Sequence, residues 1–132
     1  MNHLIATVRT IYQAFGRGDV PTILELLHPD VEWEHDAIDH GIPWLRPGRG
    51  RDHVAAFLGE VSKLEFHAFA PEAFLTDESR VAVFVRHEVT NPATGKRFAG
   101  VEIHYWTFDE TGRVSRMKHF ADTAQHKDAA TR

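Results

Sequence analysis

The segment VEWEHDAIDHG, residues 31–41, places two histidines and two aspartates within six positions. Imidazole and carboxylate groups are the ligand types for zinc, iron or manganese, and a loop could fold them around an ion. The spacing of His35, Asp36, Asp39 and His40 matches no established metal motif, and a loop of an acidic protein is also a natural place for such charges. We therefore predict no metal site and no cofactor.

Ionisable side chains also recur in two segments with strand character, RVAVFVRHEVT and KRFAGVEIHYWTFD. Alternate residues leave a strand on opposite faces, so Arg86 shares a face with Glu88, and Glu102 with His104. A guanidinium keeps a neighbouring carboxylate ionised, and an imidazole titrates near neutrality. We predict Arg86, Glu88, His104 and His119 as catalytic residues. A structural ion pair, or hydrogen bonds within a polar cavity wall, is the alternative interpretation.

Aromatic and apolar residues on the same faces could hold a flat hydrophobic ligand, although aromatic side chains in a small domain also fill cores. The candidate substrate-binding residues are Tyr12, Trp33, His35, Trp44, Phe57, Phe84, Glu102, Trp106, Phe108 and Met117. In VEWEH, strand alternation predicts that Val31, Trp33 and His35 point inward. It places Glu32 and Glu34 toward solvent.

The composition bounds the class of protein. At 132 residues with 42% hydrophobic residues, the chain has the length of one domain and can bury a core without cross-links. It has no cysteine, which excludes disulfides, thiolate nucleophiles and cysteine-based zinc sites. A net charge of -4 argues against a nucleic acid partner. The N-terminus lacks a signal-peptide pattern and no apolar run could span a bilayer, so we expect a cytoplasmic protein without a membrane partner.

These residues need elements that position them. Apolar spacing predicts a helix over 3–15, and a second that starts at the N-cap Asp19 and ends before His28. After a strand at 31–35, Asp52 is expected to cap a third helix. The second half predicts a meander of antiparallel strands separated by the turn segments TDES, NPATG and DETG. We expect one α+β domain over 1–132, ordered over about 3–122, with a frayed polar tail over 123–132.

The order of these elements, with HPDVEW after a short helix and GRVSRMKHFAD as the last strand, resembles the SnoaL-like and ketosteroid-isomerase-like proteins of the nuclear transport factor 2-like superfamily. AFGRGDV and the hairpin ATGKR fit the same order. The resemblance implies a cone-shaped curved antiparallel sheet, of about four to six strands, that encloses a pocket with three helices. Such folds host isomerases, cyclases, epoxide hydrolases and binding modules.

The resemblance also implies roles for particular residues. A ketosteroid-isomerase-like protein has an acidic hydrogen-bond donor where His104 falls and a carboxylate base near Trp33, which cannot act as a base. An epoxide-hydrolase-like protein has an Arg-x-Asp pair where Arg86 and Glu88 fall, and a second Asp where His119 falls. We predict a small cofactor-independent enzyme that acts on a hydrophobic small molecule by acid-base chemistry. The alternative is a non-catalytic small-molecule-binding module.

A row of aliphatic residues on the other sheet face predicts how the protein assembles. An apolar sheet face opposite a pocket needs a cover, which a second copy of the chain commonly supplies. We therefore expect a homodimer through the outer sheet face. The residues expected on that face are Val81, Val83, Val85, Val101, Ile103 and Tyr105.

Overall fold

The computed structural model describes residues 3–132, which form four helices and six strands. The helices are α1 (His3–Gly16), α2 (Val20–Glu25), α3 (Arg51–Val61) and α4 (Thr123–Ala130). The strands are β1 (Leu27–Trp33), β2 (Gly48–Arg49), β3 (Glu65–Thr76), β4 (Arg80–Asn91), β5 (Lys96–Phe108) and β6 (Val114–Phe120). None of the helices in this described range has the length and apolar character needed to cross a membrane.

The six strands form one curved, unclosed sheet in the order β2-β1-β6-β5-β4-β3. All neighbours are antiparallel except β1 and β6, which run parallel, so the purely antiparallel sheet expected from the sequence is wrong at this one pair. Apolar residues of α1, α2 and α3 pack with the inner face of the sheet in one core, for example Val8, Ile23 and Val54. The α+β class and the helix cover over the sheet are confirmed.

The first two helices follow their sequence signals, but the boundary between α2 and β1 differs from the prediction. Helix α2 is capped by Asp19, whose Oδ1 accepts the backbone N–H of Thr22 at 3.2 Å, and Pro21 lies in its first turn. The helix ends at Glu25, and β1 already begins at Leu27. The predicted helix is therefore too long and the predicted strand, 31–35, starts too late and ends two residues too far.

The third and fourth helices depart from prediction. Gly50, with φ of 92°, occupies the N-cap of α3, and Asp52 lies in the first turn instead. The tail expected to fray forms α4, which is capped by Asp122 and buries Ala129 completely. Asn91 Nδ2 donates to the carbonyl oxygen of Ala129 at 3.0 Å and so ties this helix to β4. The ordered chain therefore extends well beyond residue 122.

The register between β4 and β5 corrects the assignment of faces. Residues directly opposite each other in antiparallel strands share a face. The opposing pairs are Val81 with Trp106, Val83 with His104, and Val85 with Glu102. The three valines are fully buried on the concave face, so their predicted place on the outer face is wrong. The parity within each strand was right, but relating the faces of two strands requires their register, which the hairpin turn between them sets.

The same register places Arg86 and Glu88 on the convex face, where both are exposed. Arg86 pairs with Glu72 at 3.2 Å, and Glu88 pairs with Arg97 at 3.1 Å. Phe84 is half-buried on this convex face. The prediction that these three residues face a pocket is therefore wrong, and the two charged ones form surface ion pairs of the structural kind.

Candidate active site

A cavity of about 80 Å³ lies between the concave face of the sheet and helices α1, α2 and α3. Its wall is largely apolar and includes all three tryptophans of the chain. The ionisable and hydroxyl side chains that reach it are Tyr12, His87, Glu102, His104, His119 and His126.

His119 is bound to a buried carboxylate at the end of β1. Its backbone N–H donates to Glu34 Oε1 at 2.9 Å, and its ring Nδ1 is in hydrogen-bonding contact with Glu34 Oε2. Glu34 is 2% exposed and has φ of 54°, in the left-handed region that residues other than glycine rarely adopt. This conformation ends the alternation of β1 directly after Trp33 and turns the Glu34 side chain inward. The predicted solvent-facing orientation of Glu34 is therefore wrong.

His104, the neighbour of His119 across β5 and β6, has different partners. Its Nδ1 lies 2.7 Å from the hydroxyl of Tyr12 on α1, and its Nε2 lies 2.8 Å from Glu102 Oε2. The indole N–H of Trp106 donates to the same Tyr12 oxygen at 3.3 Å. The ring centroids of His104 and His119 are 4.5 Å apart. Two imidazoles thus lie side by side on one wall of the cavity.

The second oxygen of Glu102 is held by α4. His126 Nε2 lies 3.2 Å from Glu102 Oε1, and Trp44 donates its indole N–H to His126 Nδ1 at 2.9 Å. His87 Nδ1 approaches Glu102 Oε1 to 3.6 Å, which is an ion-pair distance but too long for a good hydrogen bond. Glu102 is 7% exposed, so two histidine rings supply the contacts that water would make at the surface.

The donors fix the direction of most protons in this network. An indole N–H can only donate, so the Tyr12 oxygen accepts from Trp106 and directs its own proton to His104 Nδ1. An ionised Glu102 accepts only, so His104 carries its proton on Nε2. The same reasoning places the proton of His126 on Nε2, because Nδ1 receives the N–H of Trp44. Glu102 is the common acceptor of both rings.

The protonation states of the two adjacent rings differ. Burial opposes charge on His119, but the Glu34 carboxylate outweighs it and raises the pKa of His119 to about 9. Burial and the charge of His119 lower the pKa of His104, and Glu102 offsets this only in part. Burial also opposes charge on Glu102, yet hydrogen bonds from His104 and His126 hold its pKa well below the ordinary value. At neutral pH the site therefore pairs a charged imidazole with a neutral one.

The structure brings most of the predicted site residues together. The wall of the cavity contains Tyr12, Trp33, Trp44, Phe57, Glu102, His104, Trp106, Met117 and His119. Phe108 is buried in the core and lies outside the wall. His35 lies beside Tyr105, with ring centroids 6.2 Å apart, on the convex side of the sheet. Its predicted inward orientation fails because Glu34 interrupts the strand just before it.

The sequence does not predict three residues of the site: Glu34, His87 and His126. His87 belongs to the valine row that was assigned to the wrong face. His126 lies in α4, whose start carries a recognisable signal, since Asp122 followed by Gln125 is a capping-box spacing. The left-handed conformation of Glu34 has no such signal, because non-glycine residues adopt it only under tertiary constraint.

Two groups of side chains have the composition and spacing of a metal site. They are His87, Glu102 and His126, and Glu102, His104 and His119. Both ring nitrogens of His104 and His126 already have hydrogen-bond partners, so a cation would have to displace those bonds. The predicted loop cluster contributes to neither group. Asp36, Asp39 and His40 are exposed, and none reaches the cavity wall.

A helix-covered curved sheet with this pocket defines the nuclear transport factor 2-like class of fold. The SnoaL-like domain family matches residues 8–117, and the chain belongs to this family. An NTF2-like protein of unknown function from Burkholderia pseudomallei is 30% identical, with a TM-score of 0.85 and full coverage of both chains. Another from Burkholderia xenovorans shows the same fold at 23% identity, with a TM-score of 0.87 and coverage of 99% and 98%.

A third similar structure is TerC co-crystallised with polyporic acid, which is 29% identical with a TM-score of 0.80 and covers 96% of this chain and 97% of its own. No curated protein matches the sequence. The SnoaL-like match ends at residue 117, so His119 and His126 both lie beyond it.

Proposed function

We propose that this protein is a cofactor-independent acid-base enzyme that enolises a small hydrophobic carbonyl compound, as an isomerase or cyclase of the SnoaL-like type would. One observation carries the proposal: two adjacent imidazoles line one cavity, each contacts a buried carboxylate, and one of them also contacts a hydroxyl group. His119 is bound to Glu34, whereas His104 is bound to Glu102 and to the Tyr12 hydroxyl. Opposite environments on neighbouring titratable groups are the usual basis of acid and base assignments.

His119 is the acid. Its Nδ1 is engaged by Glu34, which leaves Nε2 as the ring nitrogen that can face a bound compound. The imidazolium donates this proton to the carbonyl oxygen as negative charge develops there, and the Glu34 carboxylate stabilises the charge of the ring beforehand. Returning the proton at the end of the reaction restores the starting state.

His104 is the proton acceptor and works through Tyr12. The Tyr12 hydroxyl takes a proton from the carbon next to the carbonyl while it passes its own proton to His104 Nδ1. Burial raises the pKa of Tyr12, so a concerted transfer avoids a tyrosinate. The resulting His104 imidazolium is stabilised by Glu102 at 2.8 Å. One proton leaves carbon and one reaches oxygen, so the substrate becomes its enol without any redox change.

The walls favour a carbonyl compound with an apolar body. Trp33 is 3% exposed, and its indole N–H finds no acceptor among the described residues. A buried donor without a partner costs about 1 to 3 kcal/mol, which the oxygen of a ligand would recover. The polyporic acid co-crystallised with the similar protein TerC supports a small organic ligand for this cavity. An epoxide-hydrolase-like reaction is disfavoured, because Arg86 and Glu88 lie on the opposite face.

Exchange of hydrogen for deuterium tests the proposal without knowledge of the natural substrate. 2-Tetralone, a flat apolar ketone with acidic C–H groups, is incubated with protein in heavy water and followed by proton NMR. We expect catalysed exchange, and we expect Glu34→Gln and His119→Gln each to slow it roughly 100-fold, the typical weight of one acid-base group. Glu32→Gln is the matched control, since this neighbour points away and pairs with Arg49 and Arg116.

Exchange by both variants at the wild-type rate would refute the assignment of His119. If 2-tetralone and polyporic acid bind the wild type but no exchange of 2-tetralone is detected, the non-catalytic binding module takes precedence. Titration of tryptophan fluorescence measures that binding, because all three tryptophans line the cavity.

A further inference from the structure

Helix α4 is built into the sheet by several hydrogen bonds. Thr94 Oγ1 donates to the carbonyl oxygen of Ala129 at 2.7 Å, and Lys96 Nζ donates to that of Thr131 at 2.7 Å. Gln125 Nε2 donates to the carbonyl oxygen of Ala99 at 3.1 Å. These contacts join both ends of the helix to β5 and to the turn before it. The helix therefore presents a fixed face to the cavity.

His126 is the residue that this face of α4 places at the cavity. It is 4% exposed, and its ring lies 4.1 Å from that of Phe98, which also stacks on Trp44 at 5.6 Å. Trp44 donates to Nδ1, so Nε2 carries the ring proton and points it at Glu102 Oε1. Packing and hydrogen bonding thus fix both the orientation and the tautomer of His126.

This tautomer has a consequence for His104. With one oxygen of Glu102 held by His126, the other oxygen accepts the Nε2–H of His104 at 2.8 Å. His104 Nδ1 is then left without a proton and faces the hydroxyl of Tyr12. Without His126, Glu102 could rotate toward His87, whose Nδ1 is 3.6 Å from the same oxygen.

We propose that His126, held by Trp44, is a positioning residue that keeps Glu102 directed at His104 and so makes His104 an acceptor toward Tyr12. The family match ends at residue 117, so this function belongs to a segment outside the matched domain. The inference rests on the proposed acid-base function for its catalytic consequence, but the hydrogen-bond geometry that it describes is independent of any activity.

The side chains around His126 include one carboxylate and one other histidine. Glu102 is the carboxylate in contact with it, and His87 approaches from β4 with ring centroids 5.9 Å apart. Trp44 and Phe98 cover the rest of the ring without charge. A purely structural His126 would only fill this space, whereas a positioning residue must donate to Glu102 and accept from Trp44.

Glutamine separates these two roles, because its amide can donate to Glu102 and accept from Trp44 without a titratable ring. The full chain is labelled with nitrogen-15 in its histidines, and long-range proton-nitrogen correlation spectra report which ring nitrogen carries each proton. At neutral pH we expect the proton of His104 on Nε2 in the wild type and in His126→Gln. In His126→Ala we expect a mixture of tautomers at His104.

The same variants are compared in the deuterium exchange of 2-tetralone. We expect His126→Gln to retain the wild-type rate within a few-fold and His126→Ala to lose at least about tenfold, the weight of one hydrogen bond to a charged group. If His126→Ala does not fold, Trp44→Phe replaces it. Loss of the N–H at His126 Nδ1 should allow both tautomers of His126.

An unchanged His104 tautomer in a folded His126→Ala protein would overturn the inference. So would a wild-type His126 that carries its proton on Nδ1. If the tautomers follow expectation but the wild type exchanges no carbon acid, the positioning of His104 stands and the proposed enzymatic function fails. The two hypotheses are therefore tested separately.

Discussion

His104 and His119 are directly opposed across β5 and β6, and each ring contacts a buried carboxylate, yet they differ in charge. Glu34 outweighs the burial of His119 and keeps that ring charged. Burial and the charge of His119 outweigh Glu102 at His104 and keep that ring neutral. Residue type alone therefore does not determine the chemistry of either histidine.

The buried pair of Glu34 and His119 predicts how stability depends on pH. The folded state raises the pKa of His119 to about 9 from its ordinary 6.5. The native protein therefore holds a proton that the unfolded chain releases, so the stabilisation is complete below pH 6.5 and is lost as pH rises toward about 9. At about 1.4 kcal/mol per pKa unit, the loss is roughly 3 kcal/mol.

Urea unfolding at about pH 6.5 and pH 9.5 measures this loss. Glu34→Gln removes the carboxylate that raises the pKa of His119, so its stability should change little over the same interval. Glu32→Gln, the surface control, should keep the wild-type dependence. Equal pH dependence of the wild type and Glu34→Gln would mean that His119 is not the titrating group.

At the level of residues, the sequence predicts much of the site but not Glu34, the carboxylate that binds His119. His104, His119, Glu102 and Tyr12 were predicted because parity within strands and helical spacing place them inward. Glu34 could not be predicted, since strand parity assigns it to solvent. Its backbone is left-handed where β1 ends, and this conformation allows its side chain to bind His119.

At the level of elements, the lengths of the long strands follow from residue type, whereas the assignment of their faces depends on the register set by the turn between them. RVAVFVRHEVT covers all of strand β4 except its last residue, Asn91, but both of its faces are partly apolar. A shift of one residue in pairing exchanges those faces, which is why Arg86 and Glu88 were misplaced. Helix α4 was missed for a different reason, because its polar composition outweighed the capping signal at Asp122.

Three phenylalanines from α1 and β3 pack against one another: Phe15, Phe66 and Phe69. Their ring centroids lie 5.2 to 5.8 Å apart. Phe15 and Phe66 line the inner cavity and also two depressions on the surface, one between α1 and β3 and one beside α2 and α3. We therefore expect a ligand to reach the cavity by displacing these rings.

Phe66→Ala should open this route. Phe66 is 37% exposed, so we expect a stability cost below the roughly 3 to 5 kcal/mol of a fully buried Phe→Ala change. Acrylamide quenching of tryptophan fluorescence should increase, because every tryptophan of the chain lies in the cavity wall. Phe120→Ala, on the convex face, is the control. Equal quenching of the two variants would place the access route elsewhere.

At the level of the whole molecule, the convex face of the sheet carries several exposed apolar side chains. Leu75, Val101 and Phe120 are 61%, 48% and 51% exposed there. Phe84, Ile103 and Tyr105 lie half-buried between them. The valines first assigned to this face are in the core, so the apolar patch consists of these six residues instead.

We expect this convex face to form a two-fold homodimer, because an apolar face on a small protein is commonly covered by a copy of itself. Light scattering at micromolar concentration should give twice the monomer mass of 15.0 kDa. Val101→Lys places a charge within the patch and should yield monomers, whereas Ile38→Lys, at a site 75% exposed in the loop after β1, should not. A wild-type monomer, or a Val101→Lys protein that still dimerises, would contradict this arrangement.

Because the cavity lies on the other side of the sheet, a monomeric Val101→Lys protein should keep the deuterium exchange of the wild type, which separates assembly from the acid-base site.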